Sequence, residues 1–96
     1  MALDPPMRGA LDKMIDMRFQ AVAAEVKLCK TFSKEFGIKD EDEFIYGDLI
    51  GRITSDFHCA FRGAKDRDII EEEAKEANAV IFMRAREIRD AISNVA

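Results

Sequence analysis

The sequence has no tryptophan, one histidine, two cysteines and two prolines. The two cysteines, Cys29 and Cys59, form no Cys-x-x-Cys pair, and no histidine or second cysteine stands at metal-ligand spacing from either. A Cys/His zinc motif and a disulfide scaffold are therefore excluded. Both cysteines fall within apolar helical patterns and are expected as reduced core thiols. The lone histidine, His58, has Asp56 two residues away, and on a helix positions two apart face different directions. No carboxylate stands three or four residues from it, so no local pair orients it as a base, and it is expected to serve on the surface or in packing. No apolar run approaches the roughly 20 residues that a membrane helix needs. The start, Met1-Ala2-Leu3-Asp4-Pro5-Pro6, lacks the basic and apolar regions of a signal peptide. The expected location is the cytoplasm, with no membrane partner. Also missing are a phosphate-cradling glycine loop after a strand, a nucleophile elbow, an alternating strand pattern and an internal repeat.

Charge of one sign is scarce too. Fifteen Lys and Arg against 19 Asp and Glu leave a net charge of −4. That balance disfavours nucleic acid, whose binding rests mostly on neutralised phosphates. Arg62, Lys65, Arg67 and the group Arg84, Arg86 and Arg89 offer a local basic surface, without the interleaved exposed aromatics of a nucleic-acid platform.

What remains is an apolar and charged helical chain. Hydrophobic residues make up 48% and charged residues 35% of 96 positions, which describes one globular domain, 1–96. A core this small is marginal unless association adds to it. Asp4-Pro5-Pro6 reads as a capped helix start. From there Leu11, Ile15, Phe19, Val22, Val26, Cys29, Phe32 and Phe36 step by three and four, and Gly37 follows where a left-handed C-cap belongs. Asp40 and Glu43 have capping-box spacing ahead of Ile45, Leu49, Ile53, Phe57 and Ala60. Asp68 and Glu71 repeat that spacing ahead of Ile70, Ala74, Ala77, Ile81, Ala85, Ile88, Ile92 and Val95. The pattern predicts an all-α, three-helix antiparallel bundle with a long first helix, its helices spanning about 5–36, 41–62 and 67–94.

Two further stripes exceed what one small core requires. Met14, Met17, Ala21, Ala24 and Leu28 step by three, four, three and four beside the first stripe, so the apolar arc of the first helix is wider than one packing partner needs. Gly47, Gly51, Ser55, Cys59 and Gly63 stand four apart on the second helix. Interior glycine costs about 1 kcal/mol relative to alanine, and small side chains at this spacing let a helix approach closely. Met14, Met17, Ala21, Ala24, Leu28, Gly47, Gly51, Ser55 and Cys59 are therefore the expected interface of a homodimer, a six-helix bundle of two chains. Its expected function is interaction or regulation rather than catalysis, with the protein itself as first partner and another protein as a second option. No cofactor is expected on this reading.

An alternative starts from Glu71-Glu72-Glu73-Ala74 and Glu76, where Glu72 with Glu76, or Glu73 with Glu76, share a helix face and suit a divalent cation. Together with Ala60-Phe61-Arg62-Gly63 this stretch resembles the MazG-like all-α nucleotide pyrophosphohydrolases over residues 49–83. That family holds magnesium with Glu-Glu-x-x-Glu on one helix and Glu-x-x-Asp on the next. The resemblance implies Asp56, Glu72, Glu73 and Glu76 as ligands, magnesium as cofactor and a nucleoside triphosphate as substrate. The chain departs from the family at Arg52 and Ile53, where the first motif wants acids, and at Lys75 in the ungapped second motif. A cation where a ligand belongs repels the ion. The simpler account of the acids is a favourable charge at a helix N-terminus, with Glu71 and Lys75 as a helix-spaced pair.

Overall fold

In the computed structural model, which describes residues 2–95, Asp4 opens the first helix by accepting the Met7 amide on Oδ1 at 2.9 Å. Pro5 and Pro6 fill the first two helical positions, where the missing N–H has no partner to lose. The helices are α1 (Pro5–Gln20), α2 (Val22–Glu35), α3 (Glu41–Lys65), α4 (Glu71–Met83) and α5 (Ala85–Ser93). No strand occurs among the described residues, and no helix is long and apolar enough to cross a membrane.

Five helices replace the three expected from periodicity, because two of the predicted helices are each interrupted at a single residue. Ala21 has φ −104° and ψ 8°, and its amide donates to the Arg18 carbonyl at 3.2 Å, three residues back instead of four. Arg84 repeats this with φ −103° and ψ 8° and a 3.0 Å bond to the Ile81 carbonyl. A turn tightened in this way keeps the apolar period nearly in step on both sides, so a pattern of threes and fours does not reveal it. At the second break the Arg84 guanidinium reaches across to α1, donating to Asp16 at 2.6 Å and to the Asp12 carbonyl at 3.2 Å. It also lies over the Phe19 ring, 5.3 Å from the centroid.

The remaining helix ends are set by local chemistry. α2 closes on Gly37 at φ 66°, and the Ile38 amide folds back to the Ser33 carbonyl at 2.9 Å. That is the left-handed cap expected from the glycine. The open space around Gly37 leaves backbone strain as the only cost of a side chain there. Gly37→Ala is accordingly expected to lower stability by about 1–2 kcal/mol, and Asp66→Gly, at the left-handed end of α3 with φ 54°, to raise it by up to about 1 kcal/mol. Urea midpoints of the two variants check both signs. α4 starts at Glu71, four residues later than expected. Its N-terminal amides are organised by Glu73, whose Oε1 accepts the Ile70 amide at 3.0 Å, while Asp68 pairs with Arg62.

α3 runs antiparallel to α1 and α2. Arg18 meets Asp56, and Arg52 meets Glu25 further along. α5 returns past the start of α3, where Arg89 pairs with Glu43 at 2.9 Å and lies 3.7 Å over the Tyr46 ring. The main core gathers Leu11, Ile15, Leu49, Ile53, Phe57, Phe61, Val80, Ile81 and Ile88, and a smaller cluster holds Val26, Cys29 and Ile45. Phe32 and Phe36 do not join either cluster, against expectation. On α2 the buried line runs Val26, Cys29, Ser33, and Ser33 is satisfied there by donating to Glu41 at 2.9 Å. The two phenylalanines stand one step off that line and stack on each other outside, with ring centroids 6.0 Å apart. Cys59 is likewise exposed, so only Cys29 is a core thiol.

Candidate functional site

The two surplus stripes face solvent. Met17 is 64% and Leu28 44% exposed, and Ala21 and Ala24 are exposed between them. Met14 is half-buried and lines a groove of about 490 Å³ with Met17, Arg18, Ala21 and Asp56. Phe32 and Phe36 continue the strip along α2, one helical turn apart from Leu28 onward. Gly47, Gly51, Ser55 and Cys59 on α3 are exposed as well. A methyl group added at Gly47 or Gly51 would meet nothing within 4 Å beyond its own turn of α3, so none of the other described helices packs against the stripe at these glycines.

Ion pairs place both stripes on one face. Arg18 donates to Asp56 at 2.8 Å, and Arg52 pairs with Glu25 and, at 3.3 Å, with Asp48. These residues form a polar seam where α3 meets α1 and α2. Gly47, Gly51 and Ser55 each precede a seam residue of α3 by about 100° of helical rotation, on the side away from Leu49, Ile53 and Phe57. Met17 and Ala21 flank Arg18 on α1 and at its end. The face thus reads across as an apolar strip, a charged seam and a strip of small side chains.

Within the seam three potential ligand atoms converge. Glu25, Cys29 and Asp48 each bring one to within 4.8 Å of the others. Burial first, and then the Asp48 carboxylate beside it, push the Cys29 thiol up to about 12. Asp48, and after it burial, raise the Glu25 carboxyl above its usual range against the pull of Arg52. Burial works to raise Asp48 too, but Glu25, Cys29 and Arg52 around it hold it below the usual range. Two carboxylates this close share what positive charge is available. Here that is a single guanidinium. The spacing of Glu25 and Cys29 on α2 is visible in the sequence, but their meeting with Asp48 depends on the register of α3, which no local pattern encodes.

Asp56, Glu73 and Glu76 take separate partners, and Glu72 faces solvent. Asp56 belongs to the seam with Arg18. Glu73 is buried and receives two bonds from Arg67, both at 2.9 Å. Glu76 accepts the Leu3 amide at 2.9 Å and lies 3.7 Å from Arg8. Glu72 is exposed, and Glu71 pairs with Lys75 at 3.2 Å. His58 is exposed, in a shallow depression with Cys59, Arg62, Asp68 and Ile69.

Glu73 gives the clearest pH dependence. The Arg67 guanidinium, followed by the Ile70 amide, outweighs burial and holds its carboxyl at about 2, below an ordinary value of 4.5. A carboxyl lowered by folding stabilises the native state above its unfolded value and loses that contribution as the pH falls through its folded one. Stability is therefore expected to decline between pH 4.5 and pH 2. Glu73→Gln should flatten that part of the profile and lower stability at neutral pH, as followed by urea unfolding at each pH.

No family model, curated protein or solved structure matches the chain.

Proposed function

We propose that the protein is a small helical interaction or regulatory protein that works as a homodimer, joined through the face just described. Met14, Met17, Ala21, Ala24 and Leu28 of one chain would meet the same face of its partner, with Gly47, Gly51, Ser55 and Cys59 admitting the partner's helices closely. Each chain would then supply α1 and α2, α3, and α4 and α5 as its share of a common bundle. One observation supports the reading above all: the exposed apolar strip and the exposed small-residue stripe lie on the same side of the molecule, across one seam. Exposed methionine and leucine beside bare glycine is an expensive surface for a monomer and a useful one for a twofold contact. The seam supports the same reading, since paired charges at its centre can set the register between two copies.

Sedimentation equilibrium of the purified protein at micromolar concentration tests the proposal. A dimer mass that falls to the monomer mass on dilution is expected. A monomer at every concentration, with cooperative unfolding independent of concentration, overturns it.

A further inference from the structure

Glu25 and Cys29 stand one helical turn apart on α2, so both reach toward α3. Asp48 meets them from the other side, and the three ligand atoms lie within 4.8 Å of one another. Arg52 takes one oxygen of each carboxylate, Oε2 of Glu25 and Oδ1 of Asp48. The second Asp48 oxygen, Oδ2, is sealed from solvent and accepts no hydrogen bond of ordinary geometry; the Cys29 thiol and the Glu25 carboxyl are the groups that face Asp48 there. A buried carboxylate oxygen without a donor is uncommon because it loses its hydration for nothing. Cys29 is itself only 2% exposed, so its sulfur faces this point and not bulk water. An ion pair explains the two oxygens on Arg52. It leaves the second Asp48 oxygen with no neighbour but a thiol and a second carboxyl, so three potential ligand atoms converge on one shielded point.

We propose that Glu25, Cys29 and Asp48 bind one divalent transition-metal ion of the zinc class, with Arg52 as an outer partner that orients both carboxylates. The donor set selects the class. Magnesium and calcium take oxygen ligands, whereas a thiolate with carboxylates suits zinc and its neighbours. Zinc bonds of about 2.0–2.3 Å place tetrahedral ligand atoms roughly 3.5 Å apart, so rotations of these side chains by on the order of 1 Å close the site. The charges balance: a thiolate and two carboxylates face a dication and a guanidinium. The thiol proton leaves to solvent as the metal–sulfur bond forms, with no change of oxidation state. Arg52 remains where outer partners of metal sites usually stand, on the carboxylate oxygens turned away from the ion. Three protein ligands leave the fourth position for water. This site does not depend on the homodimer.

Cobalt(II), which takes zinc sites and reports thiolate ligation by a charge-transfer absorption, is the probe for a titration of the full chain. The expected result is one equivalent bound, with the thiolate band present and displaced by zinc. Cys29→Ser is expected to remove the band and Cys59→Ser to leave it, since Cys59 is exposed and far along α3 from Asp48. Asp48→Asn preserves the side-chain shape, and circular dichroism checks that it folds. It is expected to weaken binding by at least about 100-fold, beyond the roughly 10–100-fold cost of losing an outer partner alone, and it decides the matter if Cys29→Ser fails to fold. Absence of the band in the wild-type protein overturns the proposal. So does a band that follows Cys59 instead of Cys29, or one that a folded Asp48→Asn variant retains at full affinity.

Discussion

Phe57→Ala is expected to destabilise the fold by about 3–5 kcal/mol, the range for removing a buried aromatic ring. Phe57 is 0% exposed and lies on the α3 line that also buries Leu49, Ile53 and Phe61. Its ring leans on Phe61 with centroids 6.2 Å apart. The same cluster includes Leu11 and Ile15 from α1 and Val80 and Ile81 from α4. Truncation therefore opens a cavity between three helices at once, and helices tied by caps and ion pairs relax into it only partly. Domains of this size are stable by about 5–15 kcal/mol, so the loss is a large share of the whole. It corresponds to a fall in melting temperature on the order of 20 °C. Urea unfolding followed by circular dichroism measures it, and an unchanged slope would show that stability alone has moved. Phe82→Ala is the companion. Phe82 is exposed on α4, and its removal should stay within about 0.5 kcal/mol. A loss at Phe57 smaller than about 1 kcal/mol would mean that the core is not centred where the buried rings place it.

The contrast between Phe57 and Phe32 shows how far the sequence could be read. The apolar steps from Ile45 to Phe57 identify the buried line of α3, because the helix is uninterrupted and buries one narrow face. Asp4 and Gly37 were legible for a different reason: a cap is a chemical requirement of two or three neighbouring residues. The breaks at Ala21 and Arg84 were not legible, because a turn tightened by one bond leaves the spacing of threes and fours intact. Phe32 and Phe36 were misplaced for the same kind of reason. After Cys29 two continuations satisfy a helical period, and the sequence prefers the more apolar one. The fold takes the line through Ser33, which a partner on α3 can satisfy. The acids of α4 illustrate a third limit. Glu73 looks like a metal ligand in sequence and is a helix-capping residue bound to Arg67. Glu25, Cys29 and Asp48 carry no motif, yet their ligand atoms meet. Composition and local spacing report on faces and ends, whereas which faces meet is decided by packing between distant segments.

The double change Met17→Glu with Leu28→Glu is expected to weaken self-association by at least about 100-fold while leaving the isolated chain within about 0.5 kcal/mol of its original stability. Both side chains already face water, at 64% and 44% exposure, so the monomer loses little by their replacement. In a twofold contact each change is made twice. Burying a leucine or methionine side chain contributes about 1.5–3 kcal/mol, and four such losses exceed the roughly 2.7 kcal/mol that a hundredfold change requires even if each site is only half buried. The introduced carboxylates oppose association further, since each would have to be desolvated or repelled. Sedimentation equilibrium gives the association constant, and urea unfolding under dilute conditions gives the monomer's stability. Gly51→Leu examines the other half of the face. Among the described residues no atom beyond the local turn of α3 lies within 4 Å of the added carbon, and leucine favours the helix that glycine weakens, so the monomer should tolerate it or gain. A partner helix seated against the small stripe would instead be pushed away. Association lost in both variants requires the two stripes to act together. Association lost only in the first would confine the contact to α1 and α2, and association retained in both would remove this face from the dimer altogether.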